Sequence, residues 1–198
     1  MLKMEEHAIV LDFLPQGRAN DPKREPLAQS IGDTFFTLLE LIPKPGLVLT
    51  VGEKVYIGKD AREKIDHIKR RIEFKELTSS AQAELPVAIK TVIDGREKDF
   101  VDFFNKAGAI TLRLHRLELL PGIGKKHLTR ILAEREKKPF ESFADISARV
   151  ELMPSPHKLI TDEIMTELQG TTKYYLFCKP PFQEREGEER FRHGRRFP

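Results

Sequence analysis

The sequence predicts an α+β fold in which a small antiparallel β barrel is followed by an all-α domain. Residues 1–78 contain several runs that are rich in β-branched and aromatic residues, as strands are. From about Ser79 the apolar residues instead recur at steps of three and four, as they do on one face of a helix. The length of 198 residues allows one large domain or two small ones that each bury a modest core, and we favour two.

Four short strands are predicted in the first module. Each run is bounded by Pro, Gly or polar turn residues, and the last two flank a short turn as the arms of a hairpin do. A polar loop at 16–26 with turn chemistry throughout separates the first two strands. The predicted strands are 8–14, 33–42, 47–50 and 54–57.

A helix and a fifth strand complete this module in the prediction. Asp60 and Glu63 are spaced as in a capping box, and the three isoleucines within 65–72 fall on one helical face. Residues 72–77 then alternate between apolar and polar, as in a strand. Five strands with a helix before the last is the order of an OB-type barrel, so residues 1–78 are predicted to be OB-like.

Residues 79–178 are predicted to be helical. An apolar stripe between 85 and 93 indicates a first helix, and the aromatic run at 100–104 indicates a second, ended by a left-handed Gly108. Leucines repeating every three residues predict a third helix over 111–120. Pro121 ends that helix, and a fourth begins at Lys125.

The Gly-Ile-Gly sequence between the last two helices is the main functional signal. Glycine permits backbone angles that other residues avoid, and Ile123 can fill the gap between the helices. Free N–H groups at the start of the following helix, aided by its dipole, can bind an anion. The net charge of the whole chain is only +3, but residues 111–138 contain eight basic and three acidic residues. The sequence therefore predicts a phosphate site here.

Residues 119–126 resemble the helix-hairpin-helix family, and 139–146 is similar to the linker between the paired hairpins of its tandem members. On this resemblance, a first unit lies at 111–138 and a degenerate second unit at 145–169. The second unit has Leu-Met-Pro-Ser-Pro where Gly-hydrophobic-Gly is expected, and its two prolines lack amide donors. Phosphate binding is therefore expected at the first turn, with the second as structural support.

The whole chain, with its strand-rich start, its hairpin pair and its Tyr-Tyr-Leu-Phe-Cys segment at 174–178, is also similar to a family of uncharacterised archaeal proteins regarded as RNA-binding. This resemblance implies a barrel-like module joined to tandem hairpins, and it favours binding over catalysis.

The predicted function is non-catalytic binding of nucleic acid, RNA in preference to DNA, with low sequence specificity. The cations of the 16–26 loop have two interpretations, which stay open: they are exposed to solvent only, or they contact nucleic acid. The candidate contacts are Gly122, Ile123, Gly124, Lys125, Lys126 and Arg130 in the hairpin, and Arg18, Lys23 and Arg24 in that loop.

Two alternatives stay open, a protein-interaction scaffold in translation or DNA repair and a structure-specific nuclease. We assign no catalytic residue, because neither a metal-binding carboxylate cluster nor a catalytic Lys-Asp pair is evident. A single cysteine and widely spaced histidines predict no metal or cofactor. A cytoplasmic protein without membrane contact is expected from the lack of a long apolar run, and 179–198 is predicted to be a flexible basic tail.

Overall fold

A curled five-stranded antiparallel sheet forms the first part of the protein in a computed structural model that describes residues 4–19 and 21–180. The strand order is β4-β1-β2-β3-β5, so β4 and β5 lie at the two edges. Within the described residues these two edge strands do not pair with each other, and the sheet is a half-barrel. The strands are β1 (His7–Leu14), β2 (Leu27–Gly32), β3 (Leu38–Pro43), β4 (Lys54–Tyr56) and β5 (Ile65–Arg71).

Alternation along β1 gives the sheet two apolar faces. Ala8 and Val10 join a cluster contributed by all five strands, on the face away from the helices. Ile9 and Leu11 belong to the larger cluster, which the sheet shares with the helices. Both faces of the sheet are therefore buried at this strand, which explains its nearly continuous apolar sequence.

Several strand boundaries differ from the prediction. The predicted strand at 33–42 is a turn followed by β3, and 47–50 is not a strand, because β4 pairs with β1 instead. β2 was not predicted, since Gln29 and Ser30 give it a polar appearance. Both are fully buried, and Gln29 bonds the carbonyl of Glu76 and the amide of Thr78.

The helix predicted after Asp60 is wrong, because this segment forms β5. Register shifts in the pairing of β3 with β5 break the two-residue alternation, so Ile65 and Ile68 contact the same cluster although they are three residues apart. That spacing imitates a helix. The predicted fifth strand at 72–77 contains a short 3-10 helix, Phe74–Glu76.

The five helices of the described residues follow the sheet, and the change of secondary structure falls at the predicted boundary. Thr78 caps the first helix by accepting a hydrogen bond from the amide of Ala81, and the predicted apolar stripe is confirmed as buried. The helices are α1 (Ser79–Gly95), α2 (Glu97–Lys106), α3 (Lys125–Lys137), α4 (Phe143–Arg149) and α5 (Pro156–Leu168).

A division into 1–78 and 79–178 implied two separate cores, but the two halves share part of one core. α1 packs on β1 and β2, and Ile9, Leu11 and Ile31 of the sheet lie in the same cluster as the buried residues of α1. Only the face of the sheet away from the helices has a separate core. Of the predicted tail at 179–198, residues 181–198 lie outside the described residues.

The end of α2 is also decided by tertiary contacts. Gly108 does not adopt the predicted left-handed conformation, and the helix ends at Ala107 with φ −56°. The Arg135 guanidinium donates hydrogen bonds to the carbonyls of Phe104 and Ala107, at 3.0 and 2.8 Å. A side chain from α3 thus satisfies terminal carbonyls that a glycine motif would otherwise satisfy.

Candidate functional site

The Gly-Ile-Gly turn, residues 120–124, connects a short 3-10 helix to α3. Gly122 has φ +94°, in the region that favours glycine. Ile123 is 5% exposed and packs in the main core, as predicted. Its N–H donates to the carbonyl of Leu120 at 3.0 Å, so Ile123 is not available as a phosphate donor.

The amides that follow Ile123 are free. Gly124, the N-cap residue of α3, has no side chain with which to cap the helix, and the first bonded amide is that of Leu128, which donates to the carbonyl of Gly124. Among the described residues, the N–H groups of 124–127 have no partner within the protein. Four donors at the start of a 13-residue helix are therefore exposed together.

The start of α3 carries positive charge that has no acidic partner among the described residues. Lys125 and Lys126 are exposed, and within the part of the chain that the structure describes neither forms an ion pair. At the other end of the helix, Lys137 and Lys138 lie 2.8 and 2.9 Å from glutamate oxygens. Arg130 is 3.9 Å from Glu134, a weak contact. The unpaired charge of the helix thus lies beside its free amides.

The predicted first helix of the hairpin, 111–120, is wrong. The segment contains a two-stranded hairpin, β6 (Ala109–Thr111) and β7 (Leu114–His115), followed by the 3-10 helix Arg116–Leu119. A three-residue leucine repeat suits a 3-10 helix, which has three residues per turn. His115 caps this helix by accepting a hydrogen bond from the amide of Leu117. The turn is therefore entered from a single 3-10 turn.

A second turn, residues 150–155, connects α4 to α5 and lies against the Gly-Ile-Gly turn. A methyl group on Gly122 would lie 3.2 Å from Cγ of Pro154. Pro156 occupies the first position of α5, and the Ser155 hydroxyl accepts a hydrogen bond from the amide of Lys158. This helix start therefore has fewer free donors than that of α3, as its sequence suggested.

Arg18, a predicted contact in the 16–26 loop, has partners within the sheet region. Its guanidinium donates to the carboxylate of Glu40, which is 1% exposed, and to the carbonyl of Glu76. Lys23 and Arg24 are exposed. Among the described residues, no hydrogen bond or ion pair links this loop to the Gly-Ile-Gly turn. The structure thus does not join the two groups of predicted contacts.

Replacing Arg18 by alanine is expected to lower the free energy of unfolding by about 1–3 kcal/mol, because Glu40 loses one of its two arginine partners in a buried position. Urea denaturation measures the change. Arg24→Ala removes an exposed cation of the same loop and should stay within about 0.5 kcal/mol of wild type. Equal stability of all three proteins would contradict a structural role for Arg18.

Two buried carboxyl groups on α5 were not recognised in the sequence. Glu163 and Glu167 are 3% and 1% exposed. Burial, reinforced by the charge of Glu167, raises the pKa of Glu163 to about 7. The carboxylate of Glu167 accepts hydrogen bonds from the amides of residues 176–178. Their one available signal was that they share the helical face of Ile160 and Ile164.

A cleft of about 510 Å³ lies between the segment after β5 and the end of α5. Arg71, at its edge, donates a hydrogen bond to the carbonyl of Lys179. Burial raises the pKa of the Cys178 thiol, another lining residue, so this sulfur is protonated rather than nucleophilic. In residues 4–19 and 21–180, no three His, Cys, Asp or Glu side chains converge as metal ligands would. None of the helices within these ranges is long and apolar enough to cross a membrane.

Comparison with known proteins places the chain in a family. An uncharacterised protein of Methanocaldococcus jannaschii, MJ0038, is 45% identical over 179 residues, which cover 89% of this chain and 81% of the relative. The crystal structure of Af1531 from Archaeoglobus fulgidus matches with a TM-score of 0.82 and 47% identity, covering 88% of this chain and 100% of that one. The predicted kinship with uncharacterised archaeal proteins is confirmed, while RNA binding stays a prediction. Since residues 4–179 match the family described as proteins of unknown function, DUF655, the chain belongs to that family.

Proposed function

We propose that the protein binds the phosphate backbone of nucleic acid at the Gly-Ile-Gly turn. The observation that carries this proposal is the first turn of α3, which has two lysines, no acidic residue and four free amides. Cations at a helix N-terminus oppose the helix dipole, so this end is unfavourable without a ligand. A bound phosphate would accept hydrogen bonds from the amides and neutralise the lysines.

The surrounding elements support a tandem helix-hairpin-helix arrangement. In the first unit the 3-10 helix replaces the leading helix, and in the second unit α4 and α5 flank the turn at 150–155. The contact between Pro154 and Gly122 brings the two turns side by side. The Gly-Ile-Gly turn thus offers free amides and positive charge, and the turn at 150–155 packs against it.

An OB-like sheet fits the first half. β1 pairs with β2 and β4, and β3 pairs with β2 and β5, so pairing of β4 with β5 would close a five-stranded barrel. OB-type barrels are often partly open and bind oligonucleotides. This sheet differs in lacking a helix before the last strand. Lys23 and Arg24 stay the loop cations through which it would contact a ligand.

Binding through phosphate implies low sequence specificity, because phosphates are the same in every sequence. The preference for RNA rests on the archaeal resemblance. Fluorescence anisotropy with single- and double-stranded RNA and DNA, at one low salt concentration, tests both points. We expect binding to at least one polymer with little dependence on base sequence. No binding to any of the four would overturn the proposal and favour a protein scaffold.

The double variant Lys125→Ala/Lys126→Ala is expected to bind more weakly and with less dependence on salt. Each lysine that contacts a phosphate releases counterions, so losing two should make the slope of log K against log salt shallower by about 2. Titrations at several salt concentrations measure this slope.

The double variant Lys137→Ala/Lys138→Ala is the matched control. It removes the same charge from the same basic segment, 111–138, but at the carboxyl end of α3, where both lysines have glutamate partners. Its slope should equal that of wild type. Equal slopes for the two double variants would mean that net charge, and not the turn, sets the affinity.

A further inference from the structure

Leu152, in the turn between α4 and α5, combines backbone strain with full exposure. Its φ is +60°, in the left-handed region that L side chains other than Asn and Asp avoid. Its side chain is 97% exposed, so no packing against the other described residues compensates for the strain. In the other turn the left-handed position is held by Gly122, which adopts it without cost. The fold itself therefore gives no reason for a leucine at this position.

Leu152 lies in the turn that contacts the Gly-Ile-Gly turn. Pro154, two residues further along the same turn, is the residue that lies against Gly122. Two residues of chain span at most about 7 Å, so Leu152 is close to the Gly-Ile-Gly turn. A polynucleotide strand whose phosphate is held by the amides of 124–127 continues beyond those amides on both sides, and on one side it can reach the second turn. Next to each phosphate, such a strand presents a sugar and a base with apolar surfaces.

We propose that Leu152 is an apolar contact to the sugar or base face of the nucleic acid whose phosphate is bound at the Gly-Ile-Gly turn. This inference rests on the proposed function. An exposed leucine can be buried against a ribose or an unstacked base, and aliphatic side chains act as wedges of this kind at nucleic-acid interfaces. The Gly-Ile-Gly turn would then bind the phosphate, and the turn at 150–155 would contact the apolar surface of the sugar or base.

The two contacts differ in their dependence on salt. Phosphate binding releases counterions and weakens as salt rises, whereas burial of an apolar side chain does not. Loss of Leu152 should therefore weaken binding about 3- to 10-fold at every salt concentration, with the salt slope unchanged. Loss of Lys125 and Lys126 should change the slope.

Leu152→Gly and Leu152→Asn are suitable variants, because both residues accept a positive φ. Each should unfold at the same or a higher temperature than wild type, so weaker binding would not reflect misfolding. Val48→Asn is the matched control, since it removes a 74% exposed apolar side chain from the sheet half. Its affinity should equal that of wild type.

The outcomes separate the two proposals. If wild type binds none of the four polymers, the proposed function fails and this inference fails with it. If wild type binds with a slope that depends on Lys125 and Lys126, but both Leu152 variants bind as tightly as wild type, only the role of Leu152 is overturned. A parallel loss of affinity in the Val48→Asn variant would also overturn it, because the effect would then not be local.

Discussion

Replacing Glu163 by glutamine should raise the free energy of unfolding at pH 8 by about 1–3 kcal/mol and leave it nearly unchanged at pH 4. In the folded protein the pKa of Glu163 is about 7, above its ordinary value of 4.5. The folded state therefore binds more protons than the unfolded state between these two values. The contribution of Glu163 to the free energy of unfolding is fully present below pH 4.5 and is lost as the pH rises through 7.

Glutamine is uncharged at every pH, so the variant does not incur the cost of burying a carboxylate. Urea denaturation at half-unit steps from pH 4 to pH 8 measures the difference. Asp162→Asn is the matched control, because it removes a carboxylate from the neighbouring position of α5, where the side chain is partly exposed and paired with Lys158. Its stability should differ from wild type by less than about 0.5 kcal/mol at all pH values. A Glu163→Gln curve parallel to that of wild type would contradict a raised pKa.

Replacing Gly122 by alanine should lower the free energy of unfolding by about 1–3 kcal/mol and weaken nucleic-acid binding. Two costs add at this position. The residue must adopt φ +94°, and its new methyl group would lie 3.2 Å from Cγ of Pro154 and 3.6 Å from Cδ2 of Leu159. The strain would displace the two turns from each other. Thermal or urea unfolding, followed by anisotropy at a temperature where the variant is folded, measures both effects.

Gly124→Ala tests the same loop without either cost. Gly124 has φ −89°, which any residue adopts, and a methyl group there would meet no atom within 4 Å. As alanine is a poorer N-cap than glycine, a loss of at most about 1 kcal/mol is expected. If the two alanine variants were equally stable, the left-handed backbone and the Pro154 contact would not matter to the fold.

Gly122 and Glu163 differ in how far their structural roles can be predicted from the sequence. The left-handed conformation of Gly122 is a local property, and only glycine adopts it without strain, so the turn was predictable. The burial of Glu163 depends on how α5 packs against α1, which is distant in the sequence. Charged residues are seldom fully buried, so burial at Glu163 was not expected from the sequence.

Three properties of the protein followed from its amino-acid order alone. They are the change from strands to helices at Thr78, the apolar face of α1, and a kinked turn before Lys125 with its isoleucine turned inward. Each of these properties depends on residues that are close together in the sequence. Hydrophobic spacing and glycine placement report such local geometry directly.

Long-range contacts decided the rest. Irregular pairing with β3 made a strand of 65–71, and the hairpin of β6 with β7 replaced the first half of the helix predicted at 111–120. Arg18 donates a hydrogen bond to Glu40, which is 22 residues away in the sequence. A spacing of three residues fits a helix, a 3-10 turn or a bulged strand equally well. The choice among them depends on which partner segment satisfies the backbone hydrogen bonds, and a single segment carries no record of its partner.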